Sequence, residues 1–203
     1  MRIPRATIAI VAVTIAIARL RALGAALVLD RDAVIGGQLW RIVSGSFVHF
    51  SMTHLAWDLL VVAVTGVILE RGGWPVGTIV AAAATAIGVA VLAFEPAIAR
   101  YGGLSGIACT LTVIAALGAV GASGLTRWAG AALLVLLPAK LWWEWRTGAF
   151  LFVTGAGAAI RAVPLAHLAG AGVGAVIWGL RRAVAAHGPQ LEVLEVEAEV
   201  GQR

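Results

Sequence analysis

Charge and cysteine are both scarce in this chain: of 203 residues only 12% are charged, and Cys109 is the single cysteine. One thiol excludes an intrachain disulfide framework and any multi-cysteine metal site. The net charge is +5, but the basic residues stand singly rather than in clusters, so there is no nucleic-acid footprint. What the sequence has in abundance is apolar surface, with 61% hydrophobic residues, and glycine, with 25. Water-soluble domains carry roughly half apolar and a quarter charged residues, so aqueous globular folding is a poor reading. Helices in lipid associate through small side chains that let their backbones approach. The chain therefore reads as all-α, a polytopic membrane protein.

A spanning helix needs about 20 mainly apolar residues, and six such windows can be drawn. The first runs from Ala6 to Leu29 and is interrupted by Arg19 and Arg21, whose long side chains must snorkel. Arg2 and Arg5 precede it, but no small-residue cleavage site follows, so it is expected to be a retained helix rather than a signal peptide. A polar and aromatic connection, Asp30 to Ser51, is long enough to hold structure of its own. The second span covers Met52 to Leu69, the third Val76 to Phe94, and the fourth follows Tyr101-Gly102-Gly103 to Ala122. The fifth covers Trp128 to Trp145, where Trp142, Trp143 and Trp145 suggest an interfacial belt. Phe150 to Ile160 is apolar but broken by glycine, which suggests a loop or half-embedded segment. The sixth span covers Val163 to Leu180. This gives a six-helix membrane domain over residues 1–186 and a polar tail, expected to be disordered, over residues 187–203. Arg2, Arg5, Arg181 and Arg182 favour both termini in the cytoplasm.

Polar residues inside such spans are functional candidates by default. Ser105 lies in Gly102-Gly103-Leu104-Ser105-Gly106, at a helix start whose unpaired amides and positive dipole end suit a developing oxyanion. His167 lies in Ala166-His167-Leu168-Ala169-Gly170, with Gly174 four residues beyond Gly170. Small residues at that spacing let a second helix approach, close enough for the imidazole to reach a serine. A hydroxyl needs such a base within about 3 Å to become a nucleophile. Each residue also has a bland alternative: the serine bonded to its own helix, the histidine to a carbonyl. His54 and Asp58 share one helix face, as an oxyanion support or as a hydrogen-bonded tie between helices. Lys140 and Glu144 have the same spacing and are expected to form an interfacial ion pair. Cys109 reads as a small packed side chain.

Taken in order, these pieces resemble the rhomboid family of intramembrane serine proteases, from about Asp30 to Leu180. They are Trp40-Arg41, the segment from Phe47 through His49 and His54 to Leu55, Gly66 with Glu70, Gly103-Leu104-Ser105-Gly106, and Ala166-His167 with Gly170 and Gly174. The resemblance implies Ser105 as nucleophile, His167 as general base and later acid, and His54, Asp58, Gly103 and Leu104 around the oxyanion. Glu70, Gly106, Gly170 and Gly174 would pack the helices. It implies proteolysis of membrane-embedded or membrane-adjacent segments, with no cofactor and no metal, and partners limited to membrane protein substrates and the lipid bilayer. Leu29-Asp30-Arg31, Gly37-Gln38-Leu39-Trp40-Arg41 and Ala139-Lys140-Leu141-Trp142-Trp143-Glu144 are similar to the rhombosortase branch. Those bacterial inner-membrane enzymes are thought to process C-terminal glycine-rich sorting tails. One departure stands out: the family usually has asparagine where this chain has Asp58, and an ionised carboxylate repels an oxyanion. A rhomboid-like pseudoprotease that binds segments without cutting them is therefore an open alternative. So is a small transporter subunit using intramembrane His and Asp as a proton path.

Overall fold

Away from water, backbone amides must find their partners inside the chain, and a long apolar run does so by forming a helix. The computed structural model describes residues 3–149, 151 and 162–200, with side chains to Ala186 in the last stretch. The elements in order are α1 (Arg5–Arg19), α2 (Arg21–Leu27), β1 (Leu29–Asp30), α3 (Arg31–Ile35), α4 (Arg41–Ser44), a 3-10 turn (Gly45–Phe47), α5 (Met52–Arg71) and α6 (Val76–Phe94). β2 (Arg100–Tyr101), α7 (Ser105–Val120), α8 (Gly124–Thr147) and α9 (Pro164–Val200) follow. The protein is mostly helical. Among the described residues α5, α6, α8 and residues Pro164–Ala186 of α9 are long and apolar enough to cross a membrane, and α1 with α2 passes as a bent pair. The expected loop Phe150 to Ile160 lies outside the described residues except for Leu151. The expected tail bears on residues 187–203, whose side chains are likewise outside them.

The first span is not the single helix expected. Leu20 leaves the helical region (φ −105°, ψ 87°), and α1 and α2 diverge by 110°. Arg19, Leu20 and Arg21 are all exposed at the bend, so both guanidinium groups sit where the chain turns rather than midway along a straight span. The start of α1 has no side-chain cap of its own. Glu70, at the end of α5, supplies one: its carboxylate accepts from the Ala6 and Thr7 amides, each at 2.9 Å, and from the Thr7 hydroxyl at 2.8 Å. One turn earlier Gly66 leaves room for Thr7, since a methyl there would stand 2.8 Å from Thr7 Oγ1.

The connection before α5 is structured, as its length suggested. β1 pairs antiparallel with β2, Leu29 opposite Tyr101 and Asp30 opposite Arg100. The Arg31 guanidinium donates to the carbonyls of Leu92 and Glu95, each at 2.9 Å, and so ties off the end of α6. Arg41 does the same for α2, donating to the Ala25 and Val28 carbonyls and to Gln38.

α7 is the central helix, packed by α5, α6, α8 and α9, with Ile107, Leu111 and Ile114 fully buried against Ile87, Ala83 and Val62. It ends at Val120 rather than Ala122, and its 16 residues rise about 24 Å. That is less than the roughly 30 Å of bilayer hydrocarbon, so a helix beginning at Ser105 cannot reach both faces.

Candidate active site

Ser105 is the first residue of α7, delivered by the β2 strand and a glycine pair. Gly103 adopts φ +142°, a region that side chains avoid, and a methyl on it would stand 2.8 Å from His54 Cε1 and 3.7 Å from Ser105 Oγ. Glycine here lets the His54 ring lie over the approach to the serine. His54 itself is placed by the cap of α5, where the Ser51 hydroxyl accepts from the His54 amide at 3.4 Å. Tyr101 is buried, which pushes its phenol above the ordinary value and keeps it a donor, here to the Gly103 carbonyl at 3.4 Å.

His167 comes from the first turn of α9, which Pro164 opens. The seam between α7 and α9 is glycine against backbone. A methyl on Gly106 would be 2.8 Å from the Ala166 carbonyl, one on Gly174 2.6 Å from the Thr110 carbonyl, and one on Gly170 would overlap the Gly106 carbonyl. At that spacing His167 Nε2 lies 2.8 Å from Ser105 Oγ, an imidazole nitrogen within hydrogen-bond reach of a hydroxyl.

Lys140 and Glu144 pair as expected, Nζ to Oε1 at 2.7 Å, but the carboxylate also faces inward, toward His167. Glu144 is 1% exposed, and its Oε2 lies 3.0 Å from His167 Nδ1, close though out of line for a hydrogen bond. Contacts of this kind are often poorly aligned before substrate binds. Trp142 and Trp145, by contrast, are exposed and mark the outer face of α8, while Glu144 marks the inner one and the half-buried Trp143 lines the cavity of the site. The recurrence of Leu137, Leu141 and Glu144 at helical spacing is the signal that could have shown this.

On the other side of the serine, His54 and Asp58 are brought together with a residue that sequence reasoning had quoted only within a motif, His49. Asp58 Oδ2 lies 3.0 Å from His49 Nε2 and 3.2 Å from His54 Nε2. The Leu104 amide also points at His49 Nε2, at 3.3 Å. That nitrogen cannot serve both: it carries either a proton aimed at Asp58 or a lone pair aimed at Leu104. The shorter contact favours the proton on His49. The Leu104 amide, expected near the oxyanion, is turned toward His49 instead, which leaves the Ser105 amide as the helix-start donor beside the hydroxyl. The two imidazoles converge on one carboxylate oxygen rather than around a common centre, and among the described residues no group of His, Cys, Asp or Glu is arranged to hold a metal.

A cavity of about 590 Å³ opens over this constellation, with Ser105, His167, His54 and Asp58 on one wall and Trp57, Leu133 and Leu136 among its apolar residues. Cys109 is buried and lines it.

Fold and site together define an integral membrane protein built around a half-buried serine–histidine contact. The Rhomboid domain family matches residues 36–183, well over half of the chain. The chain belongs to the rhomboid family, whose members are generally intramembrane serine proteases. A comparison with curated proteins finds no match.

Proposed function

We propose that this protein is an active intramembrane serine endopeptidase in which Ser105 attacks and His167 moves the proton. The observation that carries the reading is the 2.8 Å contact between Ser105 Oγ and His167 Nε2 at the wall of an apolar cavity. Nε2 takes the Ser105 proton as Oγ bonds to the scissile carbonyl carbon, and the carbonyl electron pair moves onto oxygen. The C–N bond then breaks and Nε2 returns its proton to the leaving amine. Water, deprotonated by the same nitrogen, resolves the acyl-enzyme. The Ser105 amide and the His54 ring are the donors for the oxyanion.

The substrate is a membrane-embedded or membrane-adjacent segment, consistent with a cavity that faces the serine with apolar side chains such as Trp57, Leu133 and Leu136. α8 packs on α7 and α9 and barely touches α5, so a segment in lipid has an approach between α5 and α8. The six-span arrangement counts α1, α5, α6, α8 and α9, and for the remaining span α7 together with the Arg100–Leu104 segment that leads into it, with both termini cytoplasmic in a bacterial inner membrane. The rhombosortase assignment, with a C-terminal glycine-rich tail as substrate, is supported by the Lys140 to Glu144 motif, since both its charged ends face the site.

Asp58 favours a second reading, a protein that binds segments without cutting them, because an ionised carboxylate beside His54 opposes an oxyanion. Labelling by a fluorophosphonate separates the two. The active protease is labelled, and Ser105→Ala and His167→Ala are not, while both variants keep their helical content. A wild-type protein that resists labelling, or a Ser105→Ala variant that still labels, would overturn the serine mechanism.

A further inference from the structure

Glu144 sits where helix electrostatics argue against it. It lies in the last turn of α8, where the dipole is negative, and it follows Lys140 in the less favourable order for an i, i+4 pair. Burial adds a further cost, because a carboxylate away from water must be paired and hydrogen-bonded. Neither forming α8 nor solvating its surface accounts for this residue, and local rules are broken in this way mainly at functional sites. Its position is explained by what it faces. Across the helix boundary Oε2 meets His167 Nδ1 at 3.0 Å, and along its own helix Lys140 holds Oε1 at 2.7 Å.

A neutral imidazole carries its proton on one of two nitrogens, and the partner of one nitrogen decides which. A carboxylate at Nδ1 draws the proton there and leaves Nε2 with its lone pair, the form that can accept from Ser105 Oγ. We propose that Glu144 is a positioning residue of the reacting unit, fixing His167 in that tautomer and orientation and balancing the imidazolium that forms when Nε2 takes the serine proton. Glu144 stays ionised throughout; the proton moves only between Oγ, Nε2 and the leaving amine. Lys140 fixes the carboxylate and makes the resting cluster neutral, one cation against one anion. This rests on the reading of Ser105 and His167 as the reacting pair and adds a third member to it.

The test uses the full chain in detergent and a fluorophosphonate over a range of concentrations, giving a maximal labelling rate and a half-saturating concentration. Glu144→Gln keeps the size and removes the charge. It is expected to lower the maximal rate on the order of 10²-fold or more, as loss of an orienting carboxylate does elsewhere, with the half-saturating concentration unchanged. Glu144→Asp is expected to restore a substantial part of that rate. A contact that only tethered α8 to α9 would lower the thermal midpoint of both variants and leave the rate per folded molecule alone. Glu144→Gln labelling at the wild-type rate per folded molecule overturns the proposal. So that folding of the variant decides nothing, the ring-nitrogen chemical shifts of His167 in the unaltered protein report its tautomer directly. A proton on Nδ1 and a bare Nε2 are expected, and the reverse overturns the proposal. Ser105→Ala keeps the two levels apart. Persistent labelling there removes the serine mechanism and this role with it, whereas its loss alongside an unimpaired Glu144→Gln removes only the role of Glu144.

Discussion

Thr110 Oγ1 donates at 2.8 Å to the carbonyl oxygen of Gly170, a bond between α7 and α9 that exists only because Gly170 rests against the backbone of Gly106. The distance between Ser105 and His167 is therefore set by a seam without side chains, one turn from each. Substituting Gly170→Val forces the helices apart, since backbone cannot rotate away as a side chain can. Overpacking costs about 1–3 kcal/mol, and a displacement near 1 Å at a reacting pair costs about 10²-fold in rate. Fluorophosphonate labelling of Gly170→Val is expected to fall by that order, with a lower thermal midpoint. A variant that labels like wild type would show the seam to be more yielding than its geometry.

Asp58→Asn is expected to leave labelling and cleavage equal to wild type or higher. Asp58 Oδ2 lies 3.2 Å from His54 Nε2, close though out of line for a hydrogen bond, so a negative charge stands beside the ring that would face an oxyanion. An amide removes the negative charge and can itself donate. A large loss of activity in Asp58→Asn would mean that the carboxylate is needed as it stands, to orient His49 and His54.

The helices and the serine–histidine contact were legible in the sequence because each leaves a local mark: apolar runs of spanning length, Gly103-Leu104-Ser105-Gly106, and His167 ahead of Gly170 and Gly174. Glu70 was legible only as a helix-packing residue, and its actual task, capping α1 across 63 residues to Thr7, depends on a contact no spacing announces. His49 was hidden for the same reason, since its partners are Asp58 on α5 and Leu104 before α7. The contact of Glu144 with His167 was missed because its spacing to Lys140 already supplied a partner, while the phase of α8 turns Trp142 and Trp145 outward and Glu144 inward. The bend at Leu20 leaves no such mark, since arginine is a good helix former and neither Arg19 nor Arg21 announces a break.

Glu70→Gln is expected to destabilise the protein without slowing it. The carboxylate satisfies two amides and a hydroxyl at the start of α1, and loss of a helix cap typically costs about 1 kcal/mol, up to about 2. Gln keeps one acceptor oxygen, so part of that remains. Neither Glu70 nor Thr7 lines the cavity, so the labelling rate per folded molecule is expected to match wild type. A fall in that rate at unchanged thermal midpoint would place Glu70 in the site after all.

The clasp between β1 and β2 is expected to loosen in acid. Arg100 donates to Asp30 Oδ2 at 2.9 Å, and this bond, seconded by the Ala33 amide, holds the Asp30 carboxyl below its ordinary value against a small opposing effect of burial. A carboxyl lowered on folding adds stability above its unfolded value, about 3.9, and that contribution is lost as pH falls through the lower folded value. The pair is solvent-facing, so the effect is small and screened by salt. The thermal midpoint of Asp30→Asn should lie below wild type at neutral pH, and the gap should close as pH drops below the ordinary carboxylate range. Because Asp30 and Arg100 anchor the strand that leads through Tyr101 and Gly103 to Ser105, the ratio of wild-type to Asp30→Asn labelling, compared at each pH at low salt, should approach one as the pH drops. A gap that stays constant with pH would mean that the charge of Asp30 contributes nothing to the clasp, leaving only the backbone pairing of Leu29 with Tyr101 to hold it.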